Sequence, residues 1–115
     1  MQVHNGFLSI GHKPGGKLYF EAMKQAGVTI VLTLLQEHEG AEYIGKKAAA
    51  IRIEWLWFPF SASKPLDGEE KVKVYSLFSN LKELLKAGER IYIHCSAGIH
   101  RTGMITYGLL RYLGK

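Results

Sequence analysis

The chain has 115 residues, 47% hydrophobic and 22% charged, a globular balance that excludes a disordered tail and leaves room for one domain, residues 1–115. Its net charge of +5 suits an anionic partner of any kind, whether phosphate ester, nucleic acid or acidic lipid. The basic residues are scattered, the longest run being Lys46-Lys47, so charge alone selects none of these.

In chain order, Phe7 to Ile10 reads as a short strand that ends in the turn-rich stretch Gly11-His12-Lys13-Pro14-Gly15-Gly16. Leu18 to Ala26 reads as a helix with Leu18, Ala22 and Ala26 on one face and Gly27 as its stop. Val28 to Leu34 is β-branched and apolar throughout, the pattern of a strand covered on both faces, as in a parallel sheet. An acidic patch from Glu37 to Glu42 leads into a weak helix over Glu42 to Ala49, and Ile51 to Phe58 is an aromatic-rich strand. A loop with Pro59 and Pro65 follows. Asp67 and Glu70 then form a capping box that opens a helix with an apolar stripe of Val72, Tyr75, Leu77, Phe78, Leu81, Leu84 and Leu85, ended by Gly88. Arg90 to His94 is a short strand, and a final helix starts at about Arg101. Strands alternating with helices predict an α/β fold with a mainly parallel central sheet flanked by helices. Ligands of such sheets bind beyond the carboxyl ends of the strands, where Cys95 falls.

One cysteine excludes an internal disulfide and a cysteine-rich zinc site, and it suits a reducing compartment. The N-terminus lacks a signal-peptide pattern and no apolar run reaches the ~18 residues of a membrane span, so the expected location is the cytoplasm.

The segment that carries chemistry is His94-Cys95-Ser96-Ala97-Gly98-Ile99-His100-Arg101-Thr102-Gly103. A loop running from a strand into a helix can aim several backbone N–H groups at one point, and the helix dipole adds to that positive field. Gly98 allows a tight turn around a ligand. A thiol facing such a cradle is expected to react as the thiolate. Arg101, at the far end of the loop, can hold two phosphate oxygens with its planar fork. Thr102 can donate a hydrogen bond to the thiolate. Cys95 as an inert core residue would leave the five-residue spacing, the glycine and the strand-to-helix position as coincidence.

The segment resembles the signature loop of the protein tyrosine and dual-specificity phosphatase superfamily, matching its tyrosine-phosphatase form at every position except His100. The upstream order of elements is similar to that of the small dual-specificity enzymes. The resemblance implies a cysteinyl-phosphate intermediate on Cys95, with Arg101 and the backbone amides of Ser96, Ala97, Gly98, Ile99 and His100 on the phosphate. It also implies that His94 tunes the thiolate through hydrogen bonding, and that neither metal nor organic cofactor is needed. The implied substrate is a phosphorylated protein, phosphotyrosine with dual specificity open.

Family members carry an aspartate that protonates the leaving oxygen. Asp67, the one aspartate here, is the candidate general acid, and its capping box is a sufficient structural reason for it as well. Alignment on Phe58-Pro59-Phe60 would place an acid near Ser61 or Ala62 instead. His100 and the basic charge leave open an RNA 5′-triphosphate or phosphoinositide substrate. A phosphate-binding module without catalysis is a further reading. No stable nucleic-acid complex and no membrane span are expected. Family domains continue with further helices, so this domain is expected to lack the last ones. An exposed patch at Leu109, Leu110 and Leu113 would then favour a homodimer through the C-terminal helix.

Overall fold

The computed structural model describes residues 1–61, 66–96 and 100–115. Five strands, β1 (Gln2–Val3), β2 (Gly6–Gly11), β3 (Ile30–Thr33), β4 (Glu54–Trp57) and β5 (Arg90–His94), form one sheet in the order β1-β2-β5-β3-β4. Only β1 runs antiparallel, paired with β2; the other pairings are parallel. Four helices accompany them: α1 (Lys17–Gln25), α2 (Ala41–Ala50), α3 (Gly68–Lys86) and α4 (His100–Tyr112), with a single 3-10 turn at Glu37–Glu39. The short β1 hairpin and the 3-10 turn have no counterpart in the sequence reading; two residues are too few to show a period.

Alternation along the strands sorts side chains into two cores. Ile30 and Leu32 of β3, with Ile91 and Ile93 of β5, face α3 and α4 and pack with Val74, Leu81, Ile105 and Leu109. Val31 and Tyr92 face the other way, onto Phe20 and Met23 of α1 and Ile44 and Ala48 of α2. β3 is buried along its whole length, which is why its sequence shows no alternation. β5 lies between β2 and β3, so the segment that follows it emerges in the middle of the sheet's carboxyl edge.

Three sequence expectations are corrected by packing. On α1 the face of Leu18, Ala22 and Ala26 is the solvent face, Leu18 being 81% exposed. The larger Phe20 and Met23 fill the core instead; spacing alone fits both faces, and volume decides. On α3 the inward stripe starts at Val74, while Val72 and Tyr75 face water. On α4 the leucines that ground the expectation of pairing are covered: Leu109 is fully buried, and Leu110 and Leu113 pack partly against the first core. The exposed large side chains of this helix are Met104, Tyr107 and Tyr112. Among the described residues no helix is long and apolar enough to cross a membrane.

Gly45 sets the approach of α2 to the sheet, because a Cβ there would overlap the indole ring of Trp55. Helix propensity alone would make Gly45→Ala stabilising by about 1 kcal/mol. Overpacking against Trp55 is expected to reverse the sign, giving a net loss of about 1–2 kcal/mol in urea unfolding.

Candidate active site

Cys95 directly follows β5 and is 2% exposed, packed into the core beneath α3 and α4. Arg101 lies in the first turn of α4 and reaches back to the residue after Cys95: its Nη2 donates to Ser96 Oγ at 2.8 Å. Cys95 acts on the same guanidinium, after Glu39, to help hold its proton. Ala97, Gly98 and Ile99, expected to offer amides to a phosphate, lie outside the described residues, whereas His100 is the exposed first residue of α4.

The sequence pattern points Arg101's fork at an incoming phosphate. In the structure both arms already hold a carboxylate: Nη1 donates to Glu39 Oε1 at 2.7 Å and Nη2 to Glu39 Oε2 at 2.8 Å. Nη1 also donates a long bond to the Phe60 carbonyl, at 3.4 Å. This bidentate pair is largely shielded, with side-chain exposures of 16% and 22%. The backbone N–H of Gln36 donates to Glu39 Oε1 at 2.9 Å and fixes the carboxylate from behind. The bond from Arg101, followed by that from Gln36, holds the Glu39 pKa at about 2 against an opposing effect of burial. Reciprocally, Glu39 raises the pKa of Arg101 above its ordinary value. Nothing local in the sequence marks Glu39 as a partner of Arg101; its one local signal is the capping-box spacing of Gln36 and Glu39.

His94 is fully buried, and its tautomer follows from its partners. Trp55 Nε1 can only donate, and it does so to Thr33 Oγ1 at 2.8 Å. The Thr33 hydroxyl proton is then directed at His94 Nε2, also 2.8 Å away. The Cys95 carbonyl, 3.2 Å from Nδ1, can only accept, so Nδ1 carries the ring proton. Burial pushes the His94 pKa down to about 4; the bond to Cys95 opposes this and the charge of Lys13 adds to it. At neutral pH the residue before the thiol is therefore an uncharged imidazole of fixed orientation, braced by a strand two places away in the sheet.

On the opposite flank, Tyr92 Oη donates to the His12 carbonyl at 2.6 Å, leaving Tyr19 Oη, also at 2.6 Å, to donate to Tyr92. Burial, then the bond from Tyr19, raises the Tyr92 pKa, keeping the phenol protonated. A Cβ at Gly11 would overlap that hydroxyl, so only glycine lets β2 end here.

The remaining candidates fall as follows. Thr102 is fully buried one residue after Arg101, and its hydroxyl has no hydrogen-bond partner among the described residues. Asp67 is exposed and caps α3, its Oδ1 accepting the Glu70 N–H at 2.8 Å.

No protein-family model and no curated protein matches the chain. Solved structures do. A kinase-associated phosphatase with its catalytic cysteine replaced by serine superposes with a TM-score of 0.80 at 18% identity, over 92% of this chain and 65% of that one. A DUF442 protein from Shewanella putrefaciens CN-32 gives 0.77 at 21% identity, over 99% and 70%. Tk-PTP, in a glycine-to-alanine mutant form, gives 0.75 at 20% identity, over 93% and 67%. The chain thus has the fold of the small dual-specificity and tyrosine phosphatases, and it spans about two thirds of their length.

Two outcomes test the site's electrostatics. Because the Glu39 pKa is depressed, the stabilisation it brings is complete above about 4.5 and is lost as pH falls through about 2. The urea midpoint of Glu39→Gln should therefore lie below the parent's at pH 5 and above, and the gap should close toward pH 2. In nitrogen NMR, His94 should keep its Nδ1–H tautomer at neutral pH and protonate only near pH 4; Thr33→Val should release that tautomer.

Proposed function

We propose that this chain is a cysteine-dependent phosphatase that hydrolyses phosphomonoesters through a cysteinyl-phosphate on Cys95, with phosphotyrosyl protein as the first substrate class. The observation that carries the reading is that Arg101 reaches back to Ser96, the residue after Cys95, beyond the carboxyl end of the central strand, and is held there by Glu39.

In the first step the Cys95 thiolate attacks phosphorus, an S–P bond forms, and the ester P–O bond breaks with its electron pair going to the leaving oxygen. In the second, water attacks the cysteinyl-phosphate, the S–P bond breaks, inorganic phosphate leaves and the thiolate returns. Arg101, whose outer N–H groups stay on Glu39, stabilises the charge on the equatorial oxygens with its Nε–H and the Nη2–H now donated to Ser96, and the start of α4 adds its dipole. Glu39 leaves the guanidinium one orientation, so little reorganisation is needed as charge develops. His94, neutral and bonded to the carbonyl of Cys95, fixes the backbone that presents the sulfur. The buried Thr102 hydroxyl is a candidate donor to the thiolate, most useful when sulfur is the leaving group.

Asp67 acts as a helix cap, its carboxylate exposed and engaged with the Glu70 N–H. Without a dedicated acid, chemistry favours leaving groups that need no proton, such as phenolates and the phosphoanhydride oxygens of polyphosphates. That supports a second reading in which the substrate is an RNA 5′-triphosphate or another polyphosphorylated compound.

Hydrolysis of para-nitrophenyl phosphate without added metal is expected, with a loss of about a thousandfold or more in Cys95→Ser. Asp67→Asn separates the two roles of that residue, because asparagine caps a helix as well as aspartate does. Its turnover should stay close to the parent's across the pH profile, while Asp67→Ala should lose about 1 kcal/mol of stability. A basic limb that disappears in a stably folded Asp67→Asn would make Asp67 the general acid instead.

A further inference from the structure

Lys13 lies in the loop between β2 and α1. The register pairs Gly11 with His94, so this loop leaves the sheet alongside the Cys95 segment. β3 leaves on the other flank of β5, and Lys13 meets the turn that follows it: its Nζ donates to the Glu39 carbonyl at 3.2 Å. One residue, Glu39, is therefore held at its carboxylate by Arg101 and at its carbonyl by Lys13.

The two cations differ in what balances them. Arg101 is matched by the Glu39 carboxylate, whereas Lys13 pairs with no carboxylate among the described residues. One of its three N–H donors is spent on a neutral carbonyl, the side chain is exposed, and its charge is felt at buried His94. A compact ammonium with donors to spare is a phosphate ligand.

We infer that Lys13 forms a second anion-binding position on the flank of the Glu39–Arg101 pair, one that takes a second phosphate of a polyphosphorylated substrate. The inference rests on the phosphatase reading of Cys95 and narrows its substrate to compounds with two phosphates close together, either in a phosphoanhydride chain or on neighbouring carbons of a ring. A phosphoanhydride leaving group needs no proton, which accords with an Asp67 occupied as a cap.

The test is calorimetric binding of orthophosphate, inorganic tripolyphosphate and a vicinal inositol bisphosphate to the parent, Lys13→Met and Lys13→Arg, with para-nitrophenyl phosphate turnover of the parent measured alongside. The parent should bind one of the two larger probes at least tenfold more tightly than orthophosphate. Lys13→Met should lower that ratio about tenfold and Lys13→Arg should largely keep it. Whichever probe loses more in Lys13→Met identifies a chain or a ring as the source. Equal weakening of orthophosphate and both larger probes would overturn the inference, as Lys13 would then act only through Glu39 or the general field. So would a parent that binds neither larger probe more tightly than orthophosphate. A parent without turnover that still shows the Lys13-dependent ratio would remove the phosphatase reading and leave the anion position standing.

Discussion

A guanidinium held out of water beside a buried sulfur needs an anion to face it, and Glu39 supplies one with both oxygens. The bond is charge-assisted and bidentate, so it fixes the plane of Arg101 as well as its position. Glu39 is fixed in turn by the N–H of Gln36, in the turn that leaves β3. β3 pairs directly with β5, Thr33 opposite His94, and this register brings the turn within reach of the first residues of α4. A one-residue slip between these strands would turn His94 and Thr33 to opposite faces and pull the carboxylate away from Arg101.

The same sheet braces the residue before the thiol. The chain of bonds from Trp55 through Thr33 to His94 crosses from β4 to β5 and ends on the carbonyl of Cys95. Trp55 can serve because Gly45 lets α2 lie flat on its ring. On the β2 side, Tyr92 and Tyr19 tie down His12. Cys95 is thus positioned from both neighbouring strands as well as from its own.

The proposed reacting centre is legible in the sequence because its parts are local. Cys95, Arg101 and Thr102 sit within one loop and one helical turn, and their order between strand and helix is readable without tertiary information. The same holds for the Asp67 cap and for β3, whose unbroken apolar run can only be a strand buried on both faces. What could not be read depends on contacts distant in the chain. Glu39 is sixty-two positions from Arg101, as Thr33 is sixty-one from His94, and nothing local marks either as a partner. The wrong face chosen for α1 has a related cause: i, i+4 spacing is shared by every face of a helix, and only the width of the gap under Val31 and Tyr92 selects Phe20 and Met23 over the alanines.

In the proposed reaction Glu39 keeps Arg101 aligned for phosphoryl transfer to Cys95. The direct measurement is rapid-quench mass spectrometry of the Cys95 peptide during turnover of an aryl phosphate, in the parent and in Glu39→Gln, with circular dichroism to establish that both are folded. One phosphoryl group is expected on Cys95 in the parent, with its formation slowed at least tenfold in a folded Glu39→Gln. Equal rates in the two proteins, or a phosphoryl group on any other residue, would contradict it.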